Sequence, residues 1–153
     1  MRLQALEDRE EIRQLVASYG PLADCGDADA LAALWVEDGE YEIVGFATAC
    51  GHGEIAALIE GSVHRELMAA GCAHLLGPVS VEITGDSAVA RGHSVVFRHE
   101  GGAFAAHRVS ANRWTLKRTD AGWRVTHRAN ALLDGDDAAR MLLATSPPHH
   151  PAS

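Results

Sequence analysis

The apolar positions in the first part of the chain repeat with helical spacing. From Ile12 to Tyr19 they recur at i, i+3, i+4 and i+7, and acidic residues fill the turns before them, which predicts an amphipathic helix over Leu6–Tyr19. Gly20-Pro21 disturbs this pattern, because proline has no amide hydrogen and crowds the preceding turn. We therefore expect Leu22–Asp24 to be a kinked or ending segment, with Asp24 at a helix end.

The next stretch alternates short elements. Asp27 is a suitable N-cap for a second helix that stops by Asp38-Gly39, and its buried stripe consists of Leu31, Leu34 and Trp35. The alternation in Tyr41–Val44 indicates a strand, and Gly51–Gly53 indicates a loop. A third helix is predicted through Ile55–Leu67.

The second half of the chain carries strand signals separated by glycine turns. Four strands are predicted, at His74–Ile83, Ser87–Arg98, Phe104–Lys117 and Trp123–Leu132. A short helix is predicted over Asp134–Ala144, and residues 145–153, with three prolines, are expected to form a flexible tail or lid. A helical block followed by antiparallel hairpins indicates an α+β domain over residues 1–144.

Composition restricts the partners. A chain of 153 residues with 47% hydrophobic residues is the size of one domain. The net charge of −8, spread along the chain, argues against nucleic acid. No apolar run reaches the length of a membrane span and the N-terminus is acidic, so neither a membrane nor a signal peptide is expected. The predicted location is cytoplasmic.

Neither a metal nor a cofactor is expected. The three cysteines show no CxxC spacing, and the nine histidines do not form an HExxH pattern, so reduced thiols and the absence of a zinc site are predicted. The glycine pairs are turns, because none belongs to a GxGxxG or P-loop motif. A small molecule is the expected partner.

Several motifs occur together in an order that resembles a known family. They are Leu6–Val16, Tyr19, Asp24, Asp27, Leu34-Trp35, Glu37-Asp38-Gly39, Tyr41, His74, Gly85-Asp86, Trp114, Asp120–Trp123 and Arg128. Over Leu3–Leu143 the chain resembles SnoaL-like domains of the nuclear transport factor 2-like superfamily. It is most similar to the branch with scytalone dehydratase, bile acid 7α-dehydratase and hexachlorocyclohexane dehydrochlorinase. The resemblance implies a cone-shaped α+β barrel, with N-terminal helices packed on a strongly curved, mostly antiparallel sheet.

The resemblance also implies catalytic residues. Asp24, His74 and Arg128 match the family's helix-end acid, strand histidine and late arginine. Tyr19 matches a tyrosine of the dehydratases, where the dehydrochlorinase has lysine, which favours loss of water over loss of halide. A histidine backed by a carboxylate is a general base with a fixed tautomer. We expect His74 to accept a proton and Asp24 to stabilise the charged imidazole ring. Arg128 and Tyr19 are expected to assist by binding the substrate's oxygen.

Strand alternation, placed by the same resemblance, predicts the cavity lining. The expected substrate-binding residues are Tyr41, Ser94, Val96, Arg108, Ser110, Asn112 and Asn130. Such a polar wall favours an oxygenated cyclic substrate of polyketide, steroid or aromatic type. An arginine that faces a cavity needs an anion, so Arg108 implies either a nearby carboxylate or an anionic substrate.

Other interpretations of these residues stay open at this point. His74 is equally compatible with a structural histidine, Arg128 with an ion pair to Glu82, and Tyr19 with a core position. A dehydratase is the leading hypothesis for the function. A SnoaL-like polyketide cyclase that performs an aldol closure comes second, and a non-catalytic binding or association module is the rival from another class. An epoxide hydrolase ranks below them for want of a second cavity acid.

The resemblance further implies a homo-oligomer. Relatives commonly associate through the open face of the sheet. In a monomer of this protein, Val95 and Phe97 are expected to be exposed to solvent on that face. A trimer is favoured, and a dimer is the alternative.

Overall fold

The computed structural model describes residues 2–145, which form five helices and seven strands. The helices are α1 (Arg2–Cys25), α2 (Ala28–Ala32), α3 (Gly51–Glu60), α4 (Ser62–Ala70) and α5 (Asp137–Leu143). The strands are β1 (Trp35–Ile43), β2 (Ala47–Cys50), β3 (Cys72–Leu76), β4 (Ser80–Thr84), β5 (Ser87–Glu100), β6 (Ala103–Thr119) and β7 (Gly122–Leu132).

The strands form one curved, mostly antiparallel sheet in the order β2-β1-β7-β6-β5-β3, and β4 also pairs with β5. Only the β1–β7 pair is parallel among the described strands. Helices α1, α3 and α4 pack on the sheet, and α2 packs on α1 and α3, so the α+β architecture predicted from the resemblance is confirmed. Buried tryptophans form the centre of the core, with Trp35, Trp114 and Trp123 each at most 1% exposed.

Helix α1 is bound to the sheet by carboxylates near its start. Asp8 is buried and accepts two hydrogen bonds from Arg118, at 2.7 and 2.8 Å, and one from Trp123 Nε1 at 3.0 Å. Glu11 accepts the backbone N–H of Trp123 at 2.9 Å. These bonds hold the first turns of α1 against the hairpin of β6 and β7, which sets the position of the rest of the helix.

The structure corrects several boundaries in the first half of the chain. Helix α1 continues through Pro21 to Cys25, because its last turns are packed on β3 and its end is fixed by Asp24. Trp35, expected on the second helix, begins β1 instead, and its indole donates to Glu40 O at 3.0 Å. Asp27 does cap α2, as predicted, through Ala30 N–H.

Three other elements differ from the sequence prediction. The predicted third helix is two helices that meet at Gly61, and Gly51–Gly53 is the first turn of α3 instead of a loop. The strand predicted over His74–Ile83 is interrupted after Leu76 by Gly77-Pro78 and forms β3 and β4, since proline donates no ladder hydrogen bond. Strand β2 was not predicted.

The later strands agree with the sequence prediction to within two residues at each end, and α5 lies inside its predicted range. Thr145 is the last described residue, so the rest of the predicted tail lies outside the described part of the chain. No helix within residues 2–145 is long and apolar enough to cross a membrane. The homo-oligomer stays a prediction; Val95 and Phe97 are half-buried in the single chain.

We expect Asp8→Asn to lower the free energy of unfolding by about 1–3 kcal/mol, because it weakens buried hydrogen bonds to a charged partner. The Arg118 guanidinium holds the pKa of Asp8 well below its usual range. A carboxylate with a lowered folded-state pKa stabilises fully above its unfolded value of about 4 and loses this effect as pH falls. Urea unfolding should therefore show a difference from wild type that is full at neutral pH and shrinks below about pH 4.

Asp86→Asn is the matched control, because Asp86 pairs with the same Arg118 but its side chain is 83% exposed. An exposed pair contributes about 0–1 kcal/mol. Equal losses in the two variants would contradict the assignment of Asp8 as the anchor of α1.

Candidate active site

The end of α1 and the start of β3 meet at the Asp24 carboxylate. Asp24 accepts the ring Nδ1–H of His74 at 2.7 Å and the backbone N–H of the same residue at 2.9 and 3.2 Å. Cys72 Sγ donates to Asp24 Oδ1 at 3.7 Å. One carboxylate therefore fixes both the main chain and the ring of His74.

Gly20 permits this close approach of helix and strand. A Cβ atom at Gly20 would lie 2.2 Å from the carbonyl oxygen of His74, which is closer than any real contact. The Gly20-Pro21 pair, which predicted a helix interruption, instead marks the place where α1 touches β3.

The Asp24 contact determines the tautomer of His74. An ionised carboxylate only accepts hydrogen bonds, so Nδ1 carries the hydrogen and Nε2, on the opposite edge of the ring, is unprotonated in the neutral imidazole. Burial lowers the pKa of His74, an effect that the Asp24 carboxylate opposes in part. The imidazole of His74 is therefore unprotonated at Nε2 at neutral pH and can accept a proton there.

Arg128 lies within a cage of aromatic rings. Cross-strand register places Tyr41 on β1 and Trp114 on β6 beside it, and Tyr19 covers it from α1. The guanidinium carbon is 4.1 Å from the Trp114 ring centroid, 4.2 Å from that of Tyr19 and 4.6 Å from that of Tyr41. Such contacts stabilise a cation that is only 2% exposed. The ion pair with Glu82 does not form, since Glu82 pairs with Arg91.

Burial raises the pKa of the Tyr19 phenol well above its ordinary value. Its hydroxyl therefore stays protonated at neutral pH. Tyr19 is a member of the core, as the alternative interpretation had it, and it also lines the cavity.

A chain of amides connects Arg128 to the rest of the sheet wall. Asn112 Oδ1 accepts Arg128 Nε and Asn130 Nδ2, each at 2.9 Å, and Asn112 Nδ2 donates to Ser94 Oγ at 2.8 Å. Asn130 Oδ1 accepts Arg108 Nε at 3.2 Å and Nη2 at 2.8 Å. The network holds both arginines in place through neutral acceptors.

A cavity of about 520 Å³ lies between this wall and the helices, a size suited to a small organic molecule. The predicted site residues that line it are Tyr19, His74, Arg128, Tyr41, Ser94, Val96, Arg108 and Asn130. Ser110 and Asn112, which were expected on the lining, are instead buried beneath it at 1% exposure. Asn112 is buried because its side-chain amide forms hydrogen bonds with Ser94, Arg128 and Asn130. Asp24 lies behind His74, outside the lining.

Sequence reasoning missed two histidines of the lining. His64 on α4 is buried, its ring centroid is 5.3 Å from that of His74, and its Nε2 donates to Ala23 O at 2.7 Å. His107 is unpaired at a bulge in β6, where Val96 pairs with Arg108 and Phe97 with Ala106, and it reaches the cavity mouth. The i, i+3 spacing of His64 and Leu67 could have placed His64 on the buried face of its helix. No sequence pattern marks the bulge that places His107.

Asp24, Cys72 and His74 lie close enough together to offer three metal-ligand atoms within 4.8 Å. Burial raises the pKa of the Cys72 thiol, which keeps it protonated as a donor to Asp24. These residues therefore fit a hydrogen-bonded network, and the prediction that the site uses no metal stays a prediction.

We expect Gly20→Ala to destabilise the fold by about 1–3 kcal/mol, because the added methyl forces α1 away from β3. The Asp24–His74 contacts should lengthen, and amide exchange at His74 should become faster. Gly53→Ala is the control, since nothing lies within 4 Å of its Cβ position and alanine favours helix by about 0.5–1 kcal/mol. Unchanged His74 exchange in Gly20→Ala would contradict the close-contact argument.

We expect Asp24→Asn to lower the pKa of His74 further, because the imidazolium loses its neighbouring negative charge. Nitrogen-15 NMR titration measures this pKa and also reports the Nδ1–H tautomer. Asp27→Asn removes the same charge from the cap of α2 and should leave the His74 titration unchanged. Equal shifts in the two variants would mean that Asp24 acts only through the net charge.

Comparisons with other proteins agree with this architecture. The family model of the SnoaL-like domain matches residues 4–129. An NTF2-like protein with a cystatin-like fold from Novosphingobium aromaticivorans is 67% identical, with 94% of each chain covered and a TM-score of 0.93. No curated protein matches the sequence.

More distant solved structures share the fold alone. A protein of unknown function from Mycobacterium tuberculosis is 23% identical, with 88% of this chain and 78% of that chain covered and a TM-score of 0.76. A candidate scytalone dehydratase from Novosphingobium aromaticivorans is 18% identical, with 85% and 87% covered and a TM-score of 0.71. The match over most of the chain and the close NTF2-like relative establish that this protein belongs to the SnoaL-like domain family.

Proposed function

We propose that this protein is a cofactor-independent lyase or isomerase, most concretely a dehydratase of an oxygenated cyclic small molecule. The observation that carries the proposal is His74. Its Nδ1 is held by Asp24 at 2.7 Å, and its ring lines a cavity whose wall contains Arg128. A binding module has no need to hold a half-buried imidazole in a single tautomer against a carboxylate.

The reaction begins with proton transfer to His74. Its Nε2 accepts a proton from the carbon next to a substrate carbonyl, and the C–H electron pair moves onto the carbonyl oxygen as an enolate. The enolate then reforms the carbonyl, a C=C bond forms, and the C–O bond to the adjacent hydroxyl breaks. The departing oxygen takes the proton that His74 Nε2 accepted and leaves as water, which returns the imidazole to its neutral form. Asp24 stabilises the imidazolium throughout.

Arg128 and Tyr19 have separate roles in this scheme. The guanidinium of Arg128, which is buried, stabilises negative charge on the carbonyl oxygen as it develops. The Tyr19 hydroxyl, which stays protonated, donates a hydrogen bond to the same oxygen or to the leaving hydroxyl. Both side chains line the cavity together with His74.

The comparisons support the reaction class at the level of the fold. The dehydratase-like neighbour from Novosphingobium aromaticivorans shares the architecture at 18% identity. A polyketide cyclase would use the same proton abstraction, followed by carbon–carbon bond formation. Product analysis separates dehydration from cyclisation, and a lack of any proton transfer indicates a binding module.

The direct test uses 3-hydroxy-1-tetralone, a cyclic β-hydroxy ketone that loses water to give 1-naphthol. Exchange of the ring hydrogens next to the carbonyl in 1-tetralone, followed by mass spectrometry in D₂O, measures proton abstraction alone. We expect wild-type protein to accelerate both, and His74→Ala to lower these rates by about 100- to 10,000-fold. Asp24→Asn should lower them less, because the imidazole itself remains.

His93→Ala is the matched control, since His93 is an exposed histidine of β5 that does not line the cavity. It should retain the wild-type rates. Undiminished exchange in His74→Ala would overturn the assignment of the base. Exchange without naphthol would favour an isomerase or cyclase over a dehydratase.

A further inference from the structure

The arginines of this protein have different kinds of partner. Four of them form ion pairs with carboxylates: Arg91 with Glu82, Arg98 with Glu100, Arg118 with Asp8 and Asp86, and Arg140 with Asp137. Arg113 instead donates to backbone carbonyl oxygens. Within residues 2–145, Arg108 and Arg128 form no such ion pair. Their hydrogen-bond acceptors are the amide oxygens of Asn130 and Asn112.

Burial of Arg128 without an anion is costly. Removing a charge from water costs several kcal/mol unless it is compensated. Each desolvated cation–π contact offsets about 2 kcal/mol or more, but the rings carry no net charge and leave the positive charge of the guanidinium in place. Its Nη1 is buried and has no hydrogen-bond partner among the described residues. The site therefore contains positive charge that the protein itself does not neutralise.

The cavity lining supplies no negative charge among the described residues. No aspartate or glutamate lines it, and the carboxylate of Asp24, outside the lining, is occupied by hydrogen bonds from His74. Much of the remaining lining is apolar and includes Ile43, Leu58, Leu67 and Leu76. The cavity thus combines a cationic, donor-rich wall with a surface suited to a hydrocarbon ring, in a protein whose net charge is −8.

We infer that the natural ligand is an organic acid, with a carboxylate bound at Arg108 and a cyclic apolar body against the apolar part of the lining, while Arg128 adds to the positive field and stays available to the enolate oxygen. This inference rests on the proposed function for the identity of the cavity and narrows its substrate class. Arg108 pairs with Val96 across β5 and β6 and is half-buried, whereas Arg128 is buried, so Arg108 is the more accessible of the two.

Anion binding would also act on the catalytic histidine. Burial is the main cause that lowers the pKa of His74, and the positive charge of Arg128 adds a smaller effect in the same direction. A bound carboxylate offsets this charge and stabilises the imidazolium, so the pKa of His74 should rise when the acid binds. Substrate binding would then strengthen the base.

The test measures binding of stable acids and their neutral isosteres by isothermal titration calorimetry at low salt. The probes are benzoate with benzamide and 2-naphthoate with 2-naphthamide. We expect wild-type protein to bind an acid at least about tenfold more tightly than its amide, as for a desolvated charge pair. Arg108→Gln should remove most of this preference, because it deletes the accessible charge.

Arg140→Gln is the control for net charge, since Arg140 is an exposed residue of α5 that does not line the cavity. It should retain the wild-type preference. NMR titration of His74 with saturating acid should show the raised pKa. Equal affinity for acid and amide, an unchanged preference in Arg108→Gln, or no saturable binding of either acid would overturn the inference.

These probes carry no leaving group, so binding is measured apart from catalysis. A protein that binds the acids but exchanges no hydrogens retains this inference and loses the proposed lyase activity. A protein that exchanges the hydrogens of 1-tetralone but does not bind the acids retains the proposed proton abstraction and loses this inference.

Discussion

The hydrogen bonds of the Asp24 carboxylate are the interaction on which the site depends. They join the last turn of α1 to the first residues of β3 and orient His74 with the same oxygen atoms. A contact that secures both the main chain and the ring of one residue leaves the imidazole little freedom. Positioned groups of this kind avoid reorganisation during proton transfer. The structural and the proposed chemical roles of Asp24 therefore cannot be separated.

This contact exists because α1 is fixed at both ends. Asp8 and Glu11 bind the β6–β7 hairpin, and Asp24 binds β3 about four turns later. Between them lies Gly20, which lacks the side chain that would collide with the carbonyl oxygen of His74. Helix position, and with it the distance from Tyr19 to Arg128, is thus determined by three carboxylates of one helix and one missing methyl group.

Charge is distributed unevenly between the surface and the cavity. The protein is acidic overall, yet the described lining carries two guanidinium groups, three histidines and no carboxylate. Aromatic rings and asparagine amides hold these cations without neutralising them. Such an arrangement leaves the positive field available to a ligand, or to the enolate that the proposed reaction forms.

The sequence by itself determined the fold class, the long strands and the pairing candidates Asp24 and His74, because strand alternation and helical spacing are local patterns and the family motifs keep their order. Only the tertiary structure decided that α1 runs through Pro21, since packing on β3 outweighs the local cost of proline. It also decided that Asn112 is buried, that a bulge turns His107 to the cavity, and that α4 brings His64 beside His74. These features depend on contacts between distant segments, for which a single sequence carries no periodic signal.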